Sequence, residues 1–543
     1  MHRSRQIAAV KAMLISLLGG FVLLWCGVAN AVPTSGRQCV QLGRQVIPGA
    51  TAFRAYVVKA GAYRLPAPAL PPGATPPPGY NPYPSGMNLA GQASPAANPE
   101  FCRLEFTLKP SADSRIRTEV WLPMKGWNGK VLGVGNFGWG GDLQYPNMLA
   151  GLSQGYAVAT NDAGHDNGIA GEANGEFLLG HPQKLLDYGG RANHLMTLRA
   201  KVLVRGFYGR GASKAYFVGC SLGGLQALIE AQRYPTDYDA IVAGAPPNPL
   251  AGFNAAQLWP GWLLTQDPRG SISRDQLNMV KAAVIRACAS PIGQQQGFVD
   301  LPERCRFDPS ALTCTGSQDA STCLTEPQVK LLQAIYQGPR NPRSGSVIFP
   351  GPAPGAEDQL GIFVSGKVFT NALDFFRYAA FQDAGWTPDR LDWSRDVEAA
   401  DARTGRMFTV SPDLGPFLKR GGKLLLYVGW GDFHNPNELA DYYRLLRRNN
   451  GRAADAGVRL FTMPGVNHCG GGQGCDTFSK LAVIDDWART GAAPVRIATM
   501  RVEGGKIVRT RPICAYPLVA RYKGAGDTAD QRSFDCVDAG SKR

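Results

Sequence analysis

Ala215-Tyr216-Phe217-Val218-Gly219-Cys220-Ser221-Leu222-Gly223-Gly224 is the stretch that decides the fold. Its first four residues read as a buried strand and Gly219 to Gly224 as a turn. Leu225 to Arg233 reads as a helix ended by Tyr234-Pro235, and Ala240-Ile241-Val242-Ala243-Gly244 as the next strand. Strand, turn, helix, strand is the rhythm of a parallel sheet with crossover helices.

Within that unit Gly219-Cys220-Ser221-Leu222-Gly223 fits G-x-S-x-G, the nucleophile elbow. A serine on a strained strand-to-helix turn needs small neighbours, because a larger residue at either glycine would strike the strand or the helix. The turn lifts the hydroxyl out of the sheet. The helix after it points its positive N-terminal end at any oxyanion that develops there, and the Leu222 N–H is the natural first donor. The competing reading is a structural Gly-Ser turn; the flanking strand and helix favour the elbow.

A serine nucleophile needs a base, and the base an orienting acid. In this fold they follow in the order Ser, Asp/Glu, His. Of the six histidines, only His434 and His468 come after Ser221. His468 follows the expected strand Val458 to Met463 through Pro464-Gly465-Val466-Asn467, so it lies in a loop at the carboxyl end of a strand, where active sites of open sheets form. Asp432, in Gly429-Trp430-Gly431-Asp432-Phe433-His434, follows the expected strand Lys423 to Val428 and is the candidate acid. His434 then reads as a lid-facing or solvated side chain.

The cysteines point the same way. Cys220 precedes the nucleophile and Cys469 follows the base. A disulfide needs Cα atoms about 4.4–6.8 Å apart, so a 220–469 bond would hold Ser221 beside His468. The competing arrangement leaves Cys220 a buried thiol and pairs Cys469 with Cys475.

Outward from this centre, the α/β rhythm extends both ways. Phe101 to Trp121 alternates as strands, Lys130 to Val134 is a short strand ending in the glycine-rich turn Gly135-Asn136-Phe137-Gly138-Trp139-Gly140-Gly141, and Tyr156 to Thr160 is another. His194 to Tyr208 has helical spacing. The rhythm breaks from about Pro246 to Arg406, a stretch with four cysteines and scattered Pro, Gly and aromatic residues. It resumes with Lys423 to Val428, a helix from Asn437 to Arg448, Val458 to Met463, and a helix from Thr477 to Thr490. The expected architecture is an α/β-hydrolase fold, a mostly parallel sheet with flanking helices and a large inserted lid. The expected bounds are 1–31 a signal peptide, 32–247 the first part of the core, 248–408 the lid and 409–543 the second part. Residues 32 to 63 read as strands and loops, and Leu65 to Met87, rich in Pro and Gly, as an exposed loop.

The first residues read as an export signal. Arg3, Arg5 and Lys11 precede the apolar run Ala12 to Val28, and Ala29-Asn30-Ala31 supplies the small-x-small cleavage pattern. The run is short for a membrane span, and Trp25 before Cys26 is too bulky for lipoprotein processing. The expected location is secreted or periplasmic, with no stable membrane insertion after cleavage. Cleavage lowers the net charge from +15 to +12. With no run of five Lys/Arg and no nucleic-acid motif, that charge reads as a solvated surface and no nucleic-acid partner is expected. Of the twelve cysteines, eleven would remain, an odd number that leaves at least one outside an intrachain bond. No CxxC pair occurs, which argues against a zinc ribbon.

The two cysteine-flanked motifs, Gly219-Cys220-Ser221-Leu222-Gly223-Gly224 and Pro464-Gly465-Val466-Asn467-His468-Cys469-Gly470-Gly471-Gly472, together with Gly429-Trp430-Gly431-Asp432, resemble the tannase and feruloyl esterase family, which includes the hydrolase of mono(2-hydroxyethyl) terephthalate. Further matches are Phe207-Tyr208-Gly209, Ala231-Gln232-Arg233-Tyr234-Pro235, Ile241-Val242-Ala243-Gly244-Ala245-Pro246 and Arg511-Pro512-Ile513-Cys514-Ala515-Tyr516-Pro517, so the resemblance spans nearly the whole mature chain. It implies the pair Cys220–Cys469 and further pairs Cys39–Cys102, Cys288–Cys305, Cys314–Cys323 and Cys514–Cys536, leaving Cys475 over. It implies a second oxyanion donor from the glycine-rich loop, Gly138 or its neighbour Phe137. Lids of this family often bind calcium through spaced aspartates between two cysteines. Here Ala289, Ile292 and Gln296 stand in their places, and Asp300 alone falls short of the six to eight oxygens calcium takes. No metal or other cofactor is therefore expected.

The implied activity is hydrolysis of esters of aromatic acids (hydroxycinnamoyl, galloyl or terephthalate-type), through an acyl group on Ser221, with small esters or esterified polymers as substrates. The lid run Phe375-Phe376-Arg377-Tyr378-Ala379-Ala380-Phe381 offers Phe381 to stack on the acyl ring and Arg377 to pair with a substrate carboxylate; the competing reading is an ordinary lid helix with a solvated arginine. Two other readings of the whole chain are a noncatalytic polymer-binding module on a hydrolase scaffold and a serine peptidase of the same fold.

Overall fold

Runs of apolar residues too short for helices make the centre of the molecule a sheet. The computed structural model describes residues 36–44, 48–66, 98–169, 174–316, 318–319, 321–434 and 436–540. Nine strands form one sheet: β1 (Ala50–Val58), β2 (Phe101–Leu108), β3 (Ile116–Pro123), β4 (Lys130–Val134), β5 (Ala157–Asn161), β6 (Lys214–Cys220), β7 (Ala240–Gly244), β8 (Lys423–Gly429) and β9 (Val458–Met463). Their order is β1-β2-β3-β5-β4-β6-β7-β8-β9. The pairs from β1 through β3 to β5 are antiparallel, and those from β5 through β4, β6, β7 and β8 to β9 are parallel. This is the α/β-hydrolase fold. Helices such as Ala192–Tyr208 and Leu222–Arg233 pack against it, so all five residues of β5 and of β7 are buried, as expected for strands covered on both faces. On β2, by contrast, Cys102, Leu104, Phe106 and Leu108 are buried while Arg103, Glu105 and Thr107 are half-buried.

The amino-terminal region departs from its sequence reading. Gly36–Leu42 is a helix, followed by β1. Seven residues cannot hold a helix by themselves in water; this one is fastened by the Cys39–Cys102 disulfide to β2 and buries Cys39 and Leu42. The export signal expected in 1–31 and most of the loop Leu65 to Met87 lie outside the described residues.

Between β7 and β8 the chain makes no strand of the main sheet among its described residues. The helix Leu250–Gln266 leads into this insertion and the helix Asp396–Phe408 leads out. Part of it has its own apolar core, in which Leu277, Val280 and Val284 of the helix Arg274–Cys288 pack with Leu331, Leu332 and Ile335 of the helix Glu326–Gln337. Arg274–Cys288 starts on a capping box: Ser273 Oγ accepts from the Gln276 N–H, and Gln276 Oε1 from the Ser273 N–H. The other end of the insertion, including Phe253 and Phe375, belongs to the main core. After β9 two hairpins follow outside the main sheet, β10 (Arg496–Glu503) with β11 (Lys506–Cys514) and β12 (Leu518–Tyr522) with β13 (Phe534–Asp538), joined by Cys514–Cys536. Among the described residues no helix is long and apolar enough to cross a membrane.

One buried group gives stability a pH dependence. Glu230, on the helix Leu222–Arg233, is 1% exposed, and its pKa is raised well above the ordinary glutamate range, first by burial and then by the charge of Asp237. A carboxyl whose folded pKa lies above its unfolded one stabilises below the unfolded pKa, and the benefit is lost as pH rises toward the folded pKa. Each pH unit in that window is worth about 1.4 kcal/mol. Glu230→Gln, which cannot ionise in the unfolded chain, is therefore expected to raise Tm relative to the parent at pH 7.5 and to lose that advantage near pH 4. Thermal melts at both values check this; an equal shift at both would assign the effect to packing.

Candidate active site

At the end of β6 the chain turns through Ser221 with φ 60° and ψ −128°, outside the usual range for a side-chain-bearing residue. Such a conformation costs about 1–3 kcal/mol and persists only where the surroundings impose it. Here the Ser221 N–H donates to Gly244 O of β7 at 2.9 Å, and the Leu225 N–H to Ser221 O at 3.1 Å. The glycines are sterically required. A Cβ on Gly219 would lie 2.2 Å from Gly223 O, and one on Gly223 would lie 2.6 Å from Asn136 O. Strand, elbow helix and glycine-rich loop thus meet backbone to backbone. Leu222 is the first residue of the helix, where a backbone N–H has no partner within the helix.

The loop after β4 is held against the elbow by Gln226, whose Oε1 accepts from the Asn136 N–H at 2.9 Å and whose Nε2 donates to Asn136 Oδ1 at 3.2 Å. The loop then tightens into a turn closed by the Gly140 N–H on Phe137 O, and the Tyr188 hydroxyl donates to Gly138 O. Gln226 carries no motif, and only its place one turn after the elbow hints at this role.

The loops after β8 and β9 hold the other two groups. Gly431 N–H donates to Val466 O at 2.8 Å and binds the loops together. Asp432 is fully buried; its Oδ1 accepts the His434 N–H at 2.7 Å, and its Oδ2 lies 2.8 Å from His468 Nδ1. The other ring nitrogen, Nε2, lies 3.7 Å from Cys469 Sγ. Cys469 is bonded to Cys220, with Cα atoms 6.0 Å apart across 249 residues of sequence. The open nitrogen of His468 therefore faces the disulfide whose other half adjoins Ser221, an arrangement that suits general-base transfer from a serine hydroxyl.

The remaining disulfides are Cys39–Cys102, Cys288–Cys305, Cys314–Cys323 and Cys514–Cys536. Cys475 is a buried free thiol whose pKa burial pushes up to about 11. Replacing both Cys220 and Cys469 by alanine is expected to cost about 3–5 kcal/mol of stability, since the bond closes a very long loop. It is expected to lower kcat/KM about 10²-fold through misplacement of the reacting groups. Thermal unfolding and steady-state kinetics check both; full activity would show that packing alone aligns the site.

His434 lies against the insertion rather than in solvent. Its ring packs on Phe253 at 4.7 Å and on His468 at 3.8 Å between centroids. Burial first, and the neighbouring His468 second, hold its pKa well below the ordinary histidine range, so it stays neutral. Asp432, His434 and His468 each present one ligand-type atom within 4.8 Å of the others. Two of these residues already share the Nδ1–Oδ2 hydrogen bond, which an ion would have to break.

Arg377 and Phe381, read from the sequence as substrate contacts, have partners within the insertion. Arg377 donates its Nε–H to Trp386 O at 2.7 Å, and Phe381 packs with Phe376 and Trp386 under the Arg403 guanidinium. These contacts stay within the insertion, whose aromatic residues satisfy one another there. The segment Phe375–Ala380 is a wide helical turn. In the Cys288–Cys305 loop, Asp300 accepts from Arg511 Nη2 at 2.7 Å and from Ser290 Oγ at 2.6 Å, while Gln296 Oε1 accepts from Arg511 Nη1 at 2.8 Å.

The chain is similar to known proteins in sequence and in fold. The family model described as tannase and feruloyl esterase matches residues 102–537. An uncharacterized esterase of Xanthomonas campestris pv. campestris is 34% identical over 495 residues, covering 82% of this chain and 85% of its own. The mono(2-hydroxyethyl) terephthalate hydrolase of Piscinibacter sakaiensis is 31% identical, with 82% and 86% covered. The crystal structure of feruloyl esterase B from Aspergillus oryzae superposes with a TM-score of 0.81 at 27% identity, over 92% of this chain and 100% of that one.

Proposed function

The chain belongs to the tannase and feruloyl esterase family and is a carboxylic ester hydrolase, and on that premise we propose that it cleaves esters of aromatic acids through an acyl-enzyme on Ser221. The observation that carries the mechanism is the 2.8 Å contact of His468 Nδ1 with buried Asp432, which leaves Nε2 on the side of the disulfide shared with the elbow. In this reading His468 Nε2 takes the Ser221 proton as Oγ attacks the ester carbonyl carbon. Leu222 N–H and a second N–H, from Gly138 or Phe137, hold the oxyanion. The intermediate collapses as the imidazolium passes its proton to the leaving alcohol. Water then adds to the acyl-enzyme by the same route in reverse, releasing the acid.

The acyl group follows from the relatives, named as feruloyl esterases and as a terephthalate monoester hydrolase. The five disulfides support export to an oxidising compartment. The lid works without calcium in this reading, because Asp300 is committed to Arg511 and Ser290. Tightly held stoichiometric calcium in the purified protein would overturn that part.

Hydroxycinnamate, gallate and terephthalate monoesters assayed side by side test the substrate class. At least one is expected to turn over with kcat/KM well above that of an aliphatic ester of the same alcohol. Labelling of Ser221 by a fluorophosphonate is expected, and a chain that only binds polymer would stay unlabelled.

A further inference from the structure

Three successive carbonyls of the glycine-rich loop after β4 are each held by a donor. Phe137 O accepts the Gly140 N–H at 2.6 Å. Gly138 O accepts the Tyr188 hydroxyl at 2.7 Å, and Trp139 O lies 2.6 Å from His165 Nε2. A carbonyl oxygen only accepts, so the His165 tautomer is the one with its proton on Nε2. Each bond fixes one peptide plane. Gly138 sits between two of these planes with φ 42°, and a glycine is the residue whose orientation its own sterics restrain least.

The planes also orient the N–H groups, because the N–H and C=O of a trans peptide point in opposite directions. Asn136 O faces the elbow, where a Cβ on Gly223 would lie 2.6 Å from it. The Phe137 N–H, on the other edge of that plane, points away from the elbow. Phe137 O points into the turn that Gly140 closes, so the Gly138 N–H points out of that turn. Behind the loop both side-chain donors are packed in place. Tyr188 is 3% exposed and His165 fully buried. The His165 ring stacks on Phe177 at 3.6 Å, and the Tyr188 ring stacks on Trp139 at 5.2 Å with Phe408 edge-on at 5.7 Å. Burial holds the Tyr188 pKa well above the ordinary tyrosine range, so its hydroxyl keeps the proton it donates.

We propose that Tyr188 and His165 are positioning residues, which set the direction of the Gly138 N–H as second oxyanion donor from behind the loop. This inference rests on the acyl-enzyme reading above and deepens it. The proton transfers of that reading use neither side chain. A donor aimed in advance stabilises the transition state because it need not turn as charge develops. The ground state asks little of the Gly138 N–H, so the effect falls on kcat and not on KM.

Tyr188→Phe keeps the ring and removes only the donor. On the best aromatic ester, kcat is expected to fall about 10-fold with KM within about twofold, less than the loss of a whole oxyanion donor costs. An arylboronic acid forms a tetrahedral adduct on a serine hydroxyl with a boron-bound oxygen among the oxyanion donors, and its Ki is expected to rise about 10-fold. His165→Phe is expected to behave alike, and His165→Gln, whose amide can still donate to Trp139 O, to recover most of the loss. A folded Tyr188→Phe with kcat and Ki within about twofold of the parent overturns the proposal. So does a loss carried by KM alone, or a lower kcat with unchanged Ki. Where Tyr188→Phe does not fold, the two His165 variants decide, and equal losses in both overturn the proposal. A parent that neither binds the boronate nor is labelled at Ser221 by a fluorophosphonate overturns the acyl-enzyme reading instead.

Discussion

Ser221→Ala is expected to fold like the parent and to hydrolyse its best ester about 10⁵- to 10⁶-fold more slowly. The size follows from removing the atom to which the acyl group would be attached; what survives is binding and oxyanion stabilisation alone. Folding should be spared. The backbone bonds that impose the turn, Ser221 N–H to Gly244 O and Leu225 N–H to Ser221 O, do not involve the hydroxyl, and alanine has the same Cβ in the same strained conformation. The variant should therefore keep its Tm within a few degrees and lose fluorophosphonate labelling. Single-turnover kinetics with a chromogenic ester give the residual rate. A folded variant within tenfold of the parent would mean that another group is acylated.

Asp432→Asn is expected to lower kcat about 10⁴-fold with little change in fold. The geometry explains why an isosteric change would do so much. Asp432 Oδ1 accepts the His434 N–H and Oδ2 faces His468 Nδ1. An asparagine has one oxygen for these two donors. With that oxygen on the His434 N–H, its amide NH₂ faces His468 Nδ1. Nδ1 must then be the acceptor and Nε2 carries the proton, which removes the lone pair that the proposed mechanism uses as base. No buried charge is stranded, so the loss should appear in kcat more than in Tm. Rates and melts measured on the same preparation separate the two; a variant with near-parent kcat would remove Asp432 from the mechanism.

The elbow was legible because its requirements are local. Gly219, Ser221 and Gly223 are close in sequence, and the collision that forbids a larger residue at Gly219 is with the Gly223 backbone of the same turn, though the one at Gly223 is with Asn136 of the glycine-rich loop. Asp432 and His468 were legible for a related reason: each follows a short apolar strand, and carboxyl-end loops of neighbouring parallel strands must open on the same edge. The helix Gly36–Leu42 was not legible, since seven residues have too little helical preference of their own and are held by a bond to a strand 63 residues on. The aromatic run around Arg377 has the composition of a binding surface, yet its rings found partners within the insertion, a choice made by packing.

From the sequence alone, then, came the order of the candidate groups along the chain: serine, aspartate, histidine, and the half-cystines beside the first and last. Short-range sterics and the fixed geometry of parallel strands suffice for that. Only the folded molecule decided that His434 lies on His468 and that Gln226 braces the glycine-rich loop. Those contacts join segments far apart in the chain, and which side chains meet across them depends on how the insertion and the sheet settle together, a property that no local pattern encodes.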